Sequence, residues 1–319
     1  MTLTAEQLEM RKTKLTASDW AAVMGLNKYR NAIDVFLEKT GKSEPFEGNE
    51  YTHFGNKLEP VILAEYAERM GVTVTPSGTI VHPEHDWIAA TPDGIVDGNG
   101  DGKWGVEAKN RGAYNASAWG ESGSDEVPDD VAVQCHIGME VTGLKRWDVC
   151  SLIGGNQLSI YTLEYDKELA ENLVEVGRVF WHENVLAGVC PDLDGSESST
   201  NYLASKWAKH GEVIVPAELE IALVAEQLRE VRALIAEYAE SEEQYKNLIK
   251  DFIGEAAGMS LPDGKKITWK FPTAGKKTNW EAVARMLADS VPEGYFNETV
   301  KAHTKDTNPS RRFVCPRNW

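Results

Sequence analysis

Thr91-Pro92-Asp93-Gly94 and Val106-Glu107-Ala108-Lys109, joined through Asp97-Gly98-Asn99-Gly100-Asp101-Gly102, form the stretch that decides the fold. The Asp, Asn and Gly residues in the middle tolerate turn backbone, so they read as the tip of a β-hairpin. Residues 87–96 and 104–109 on either side have the β-branched, alternating pattern of its two strands. Pairing those strands brings Asp93 and Glu107 close together at one edge of a sheet. Lys109 follows Glu107 by two residues, so strand alternation turns both side chains to the same face. Two acids and a lysine converging on one face suit a hard divalent cation and an activated water. The turn also begins like a calcium-binding EF-hand loop, with Asp97, Asn99, Asp101 and Gly102 in place. Its twelfth position falls on Ala108, and the flanks are strand-like, so calcium sensing is rejected.

The chain has 319 residues, enough for one large domain or a domain plus an appendage. Hydrophobic residues make up 42% and charged residues 26%, the balance of a soluble globular protein. No apolar run approaches the roughly 20 residues that span a bilayer, and the polar N-terminus lacks a signal-peptide core. Cys135, Cys150, Cys190 and Cys315 are scattered without a Cys-x-x-Cys pair, so reduced thiols and a cytoplasmic location are expected. The net charge of −17 argues against a general nucleic-acid coat. It is uneven, however: residues 262–319 hold 11 Lys and Arg against 6 Asp and Glu, and residues 1–42 hold seven against five. An acidic body with basic ends suits a protein that confines DNA to a channel.

Along the chain, residues 16–40 read as helical, opened by a capping cluster at Thr16-Ala17-Ser18-Asp19. Residues 54–70 read as a helix ended by Gly71, which Pro60 either opens or bends. An acidic, disordered-looking loop at 121–130 leads into a helix over 131–142, stopped by Gly143. Residues 147–153 and 158–163 alternate as a second hairpin, and Asp166 caps a helix continuing to about Ala187. Residues 190–201 look like a linker. Beyond it, apolar residues from Ile221 to Phe252 recur at steps of three and four, a long amphipathic helix either packed on the core or paired with another helix, packing being the expectation. A short hairpin, a helix near 280–288 and a basic tail follow. Domains are therefore expected at 1–200 and 201–319.

Four more elements join the hairpin carboxylates. Glu59 stands in Gly55-Asn56-Lys57-Leu58-Glu59-Pro60, Gln134 lies on the helix after the hairpin, and Arg11 precedes Ser18 in Arg-Lys-Thr-Lys-Leu-Thr-Ala-Ser. The order Arg/Thr-Ala-Ser, Gly-x-x-x-Glu, Thr-Pro-Asp-Gly, Glu-x-Lys and helix Gln resembles the lambda exonuclease family. Its members are also called YqaJ-type viral recombinases, within the PD-(D/E)xK nucleases. The resemblance covers about residues 10–187. It implies an α/β (α+β) core with a mixed β-sheet flanked by helices, and a C-terminal helix–hairpin appendage.

The resemblance further implies a Mg²⁺-dependent 5′-to-3′ exonuclease on linear double-stranded DNA, with Mn²⁺ able to substitute, that leaves 3′ single strands. It implies a homo-oligomeric ring, a trimer above all, working with a phage single-strand annealing protein. By the same likeness Asp93 and Glu107 match metal ligands, Glu59 the helix acid of the metal site, Lys109 the lysine and Gln134 the helix glutamine. Arg11, Ser18 and Thr91 fall where the family holds the terminal 5′-phosphate. The apolar strand-parting wedge of relatives has no clear match in Tyr51-Thr52-His53-Phe54. Physically, the acids would hold Mg²⁺, and Lys109, its pKa lowered by metal charge, would hold or deprotonate water. Two other readings use the same residues: a site-specific endonuclease, and a silent DNA-end-binding module that the intact Asp93/Glu107/Lys109 set argues against.

Overall fold

Alternating apolar side chains build a sheet with a helix against each face. The computed structural model describes residues 5–43, 48–98, 100, 102–271, 279–288, 291–292 and 294–304. It divides the chain into two compact units, Met1–Lys206 and Trp207–Trp319. In the first, α1 (Ala5–Lys12) and β1 (Leu15–Thr16) lead through a 3-10 turn to α2 (Trp20–Val23) and α3 (Ala32–Lys39). Next come α4 (Glu50–Met70), β2 (Thr73–Thr75), β3 (Ile80–Val81), β4 (Ile88–Ala90), β5 (Gly94–Asp97) and β6 (Lys103–Arg111). Then follow α5 (Asp129–Thr142), β7 (Arg146–Ile153), β8 (Gln157–Glu164), α6 (Lys167–Val179) and α7 (Glu197–Lys206).

The main sheet has the order β2-β5-β6-β7-β8, and a smaller one the order β1-β4-β3. Within the main sheet β6 and β7 are parallel and the other neighbours antiparallel. A parallel pair needs a crossover, and α5 supplies it. This is the mixed α/β architecture, sheets flanked by helices, that the motif order implies.

The two faces of β6 go to different helices. Trp104 and Val106 pack with Ile62 and Tyr66 of α4. On the other face Val131, Cys135 and Met139 of α5 pack with Trp147, Val149 and Tyr161. Trp147 fits between Gly105 and Gly138, where a Cβ would come within 2.3 Å and 2.6 Å of its ring. A third cluster joins Trp20, Ile88, Val133, Ile137 and Leu173. There Trp87 stacks with both Trp20 and Trp181, at centroid distances of 6.4 Å.

Several local expectations change. Residues 87–96 are not one strand, because Thr91-Pro92-Asp93 separates β4 in the small sheet from β5 in the large one. Pro92 has no N–H to offer a ladder, so the chain leaves one sheet there and joins the next. Helix α4 starts at Glu50, where Asn49 caps Thr52, and runs through Pro60 instead of opening at it. The 121–130 loop is ordered: the Gly123 amide donates to the Ile160 carbonyl at 2.8 Å and the Thr162 amide to that of Ser124 at 3.2 Å. Asp166 caps α6 as expected, and the helix continues as a π-helical stretch over Phe180–Leu186. Within 190–201, α7 already begins at Glu197, and Asn31 Nδ2 donates to Asp194 Oδ2 at 3.0 Å. That stretch is therefore folded against the N-terminus of α3, not a free linker.

The second unit contains α8 (Leu219–Ile253), a hairpin of β9 (Gly258–Ser260) and β10 (Lys266–Thr268), α9 (Trp280–Ala288) and α10 (Tyr295–His303). Most of the apolar stripe of α8 is exposed, with Leu228 and Ile249 half-buried. The basic tail after residue 304, Cys315 within it, and Asn99 and Asp101 of the hairpin tip lie outside the described residues. Among the described residues no helix is long and apolar enough to cross a membrane.

Candidate active site

Strand register sets the two acids opposite one another. Gly94 pairs with Val106, so Asp93, one residue before β5, falls beside the Glu107–Ala108 peptide. The Ala108 amide donates to Asp93 Oδ2 at 2.8 Å. Glu107 and Lys109 share the α5 face of β6, as their spacing requires. Lys109 Nζ donates to Glu107 Oε1 at 2.6 Å and to Gln134 Oε1 at 2.9 Å. Gln134 Nε2, from the crossover helix, donates to Glu107 Oε1 at 2.7 Å. Glu107, Lys109 and Gln134 thus close a ring of hydrogen bonds in which each fixes the other two.

The electrostatics are those of a site short of positive charge. Burial, then the charge of Glu107, pushes the Asp93 carboxyl well above the usual carboxylate range. Burial works to lower the Lys109 ammonium, but the charges of Glu107 and Asp93 outweigh it and hold that group above its ordinary value. Among these side chains Lys109 is thus held as a cation, suited to holding an anion or a water.

Asp93 Oδ1 and Glu107 Oε2 receive no hydrogen bond among the described residues. Two hard oxygen donors, facing a deficit of positive charge, fit a divalent cation. Glu59 acts on Asp93 electrostatically from α4. However, among the described residues no group of three or more His, Cys, Asp or Glu side chains is close enough to hold a metal ion. Glu59, on α4, lines the same cleft as Asp93.

That cleft, about 210 Å³, is lined by Asp93, Glu59 and Gln134 and by Arg11, Thr16, Ser18, Ser77 and Thr91. Every candidate residue except Glu107 and Lys109 borders it, and those two reach it through Gln134. Arg11, in the last turn of α1, donates from Nη2 to Ser18 Oγ at 3.0 Å. Thr91 Oγ1 lies 2.9 Å from Thr79 Oγ1. The result is a wall of hydroxyls beside a guanidinium, the donor set a phosphate takes.

Beneath this wall lies a network the sequence did not reveal. Asp19, fully buried, accepts from the Thr16 amide and hydroxyl at 2.8 Å each. It pairs with Lys39 at 2.8 Å and Arg30 at 2.6 Å. Burial raises its carboxyl, but Lys39, Arg30 and Arg11 together drive it below the usual range. Lys39 Nζ also donates to the Arg11 carbonyl at 2.6 Å, tying α3 to the end of α1. On the opposite face of the sheet, buried Asp148 accepts from Tyr66 at 2.5 Å and from Thr162 at 2.9 Å, and Arg146 grips both its oxygens. Tyr66 follows Glu59 by two helical turns, so this bond fastens α4 to the sheet on the same side as Glu59.

A mixed sheet thus sets two acids and a lysine beside a cleft of hydroxyl and guanidinium donors. The profile of the YqaJ-like viral recombinase domain matches residues 6–145. The uncharacterized protein YqaJ of Bacillus subtilis (strain 168) is 30% identical over 299 residues, 86% of this chain and 91% of that protein. The chain belongs to the YqaJ-like viral recombinase family. A protein of Acanthamoeba polyphaga mimivirus is 38% identical over 90 residues, 28% of this chain and 16% of its own length. Among solved structures, the alkaline exonuclease LHK-Exo of Laribacter hongkongensis is similar at 24% identity and a TM-score of 0.49. That likeness covers 64% of this chain and 98% of that one. A phage related exonuclease from Haemophilus somnus 129PT follows at 13% identity and a TM-score of 0.36, covering 55% and 96%. Membership of a viral recombinase family supports a nuclease role.

Proposed function

We propose that this chain is a Mg²⁺-dependent exonuclease that degrades one strand of linear double-stranded DNA from 5′ to 3′. The observation that carries the reading is one cleft lined by Asp93, Glu59 and Gln134 together with Arg11, Ser18 and Thr91. Asp93 and Glu107 hold the ion through their free oxygens, and Mn²⁺ can take the same place. Bound there, the ion would supply Lewis-acid polarisation of phosphate and water. Gln134 and Lys109 fix the rotamer of Glu107, so the acid pair is set before substrate arrives. Lys109, held as a cation, orients the attacking water and meets the negative charge that grows on the phosphate. Arg11, with the Ser18 and Thr91 hydroxyls, receives the 5′-terminal phosphate and so counts the strand from its end.

The net charge of −17 requires the cationic groups to face an enclosed path, which a homo-oligomeric ring, a trimer, supplies. The 3′ single strands left behind are substrate for an annealing protein. The test is nucleotide release from linear duplex in Mg²⁺, comparing 5′-phosphate with 5′-hydroxyl ends and with a closed circular plasmid. Faster release from phosphorylated ends, with the circle left intact, is expected. Cleavage of the circle would establish an endonuclease instead.

A further inference from the structure

Helix α8 is 35 residues long, and its apolar residues keep a strict spacing. Ile221, Val224, Leu228, Val231, Ile235, Tyr238, Tyr245, Ile249 and Phe252 alternate steps of three and four, with Glu242 in the one remaining place. A straight helix drifts about 20° per heptad against such a repeat, so a stripe held to it stays on one seam only when two helices supercoil. The seam is open: Ile221 is 61% exposed, Ile235 61%, Tyr238 70% and Phe252 77%. The helix carries eight acids against four bases, which suits neither an anionic lipid surface nor a phosphate backbone.

What covers the seam is written in its asymmetry. The five positions from Ile221 to Ile235 are all aliphatic, whereas Tyr238, Tyr245, Phe252 and the acid Glu242 all fall in the second half. Parallel self-pairing would stack each aromatic on its own copy and bury Glu242 against Glu242. Antiparallel self-pairing about the peptide between Ala236 and Glu237 sets Ile221 against Phe252, Val224 against Ile249, Leu228 against Tyr245 and Ile235 against Tyr238. Each aromatic then meets an aliphatic. Glu242 meets Val231, with Arg232 of the second copy next to it, so the one acid in the seam gains a cation instead of a like charge. Ala225, Ala239 and Ser241 flank the seam and let the two backbones approach. We infer that α8 is a self-association element, pairing antiparallel with α8 of a second copy of this chain. Such an interface is two-fold and closed.

The test uses the full chain and light scattering, a readout that does not depend on cleavage. The mass should be an even multiple of the 35.3 kDa chain, two rings of three where the proposed trimer also forms, and Ile235→Glu should halve it, to the single ring in that case, while helix content by circular dichroism is kept. Glu242→Leu should make the assembly more resistant to dilution. Mixed Ile221→Cys and Phe252→Cys chains, oxidised and mapped by peptide mass spectrometry, should yield a disulfide between positions 221 and 252. A wild-type monomer or odd multiple, a mass unmoved by Ile235→Glu, or a 221–221 disulfide from the Ile221→Cys chain alone would each overturn the proposal.

Discussion

Asp93, half-buried in the cleft, and Asp19, fully buried beneath its Thr16 wall, are the same residue type, and their carboxyls move in opposite directions. Asp19 has gathered Lys39, Arg30 and the Thr16 donors around it, so its charge is met within the fold. Asp93 faces Glu107 and receives one backbone amide, so its charge is left over. A buried acid with its cations beside it is part of the scaffold. An acid facing another acid has its charge unmet within the fold, and that difference separates the two more sharply than burial does.

The largest expected effect comes from removing the unmet charge. Asp93→Ala or Glu107→Ala should cut nucleotide release from linear duplex by about 10³-fold or more, the scale on which loss of a charge-stabilising group is felt. Asp93→Ala should not lower the melting temperature without metal, whereas Glu107→Ala should, because Lys109 loses its partner; both should erase the rise that Mg²⁺ gives the wild type. Turnover within tenfold of wild type would break the comparison at its active end.

Asp19→Asn should do the opposite, lowering stability by about 3–5 kcal/mol in urea unfolding because Lys39 is left buried without its partner. The sign with pH follows from the depressed carboxyl. Its stabilisation is complete above the unfolded value of about 4 and is lost as pH falls through the lower folded value. The gap between wild type and Asp19→Asn should therefore be flat at neutral pH and close in acid. A gap that widens in acid would count against the ion-pair account.

Smaller effects sharpen the contrast where the two networks meet. Arg11→Ala removes a charged donor worth about 1.5–3 kcal/mol, so the preference for a 5′-phosphate over a 5′-hydroxyl should shrink roughly tenfold in paired rate measurements. Thr91→Val removes one neutral hydroxyl bond, worth about 1 kcal/mol, and should reduce the same preference roughly fivefold. An Arg11→Ala enzyme with undiminished preference would move the phosphate site elsewhere.

The pair Glu107 and Lys109 was legible because a strand has a period of two, and Asp93 because a turn of known residues set it near Glu107. Gln134 was legible as a residue on a helix, but its bonds to both depend on how that helix crosses the sheet. Asp19, Arg30 and Lys39 were not legible as a unit. They come from a 3-10 turn, a loop and a helix end, and nothing periodic relates them. Asp148 and Tyr66 lie 82 residues apart, and a buried acid in a strand gives no sign of the hydroxyl it will meet. The period of α8 was plain in the sequence, but whether its stripe was covered was not, because periodicity reports a face and not its occupant.

Trp147 wedged between Gly105 and Gly138 has a consequence for the chemistry one turn away. The indole acts as a spacer that sets the height of the crossover helix above the sheet, and Gln134 rides on that helix four residues before Gly138. A single methyl at either glycine would lift the helix by a fraction of an ångström. That is enough to draw Gln134 out of reach of Glu107 while leaving every motif residue in place. The tolerance of the site is thus written partly in two positions with no side chain at all, and Gly138→Ala would be a mutation of distance, not of chemistry.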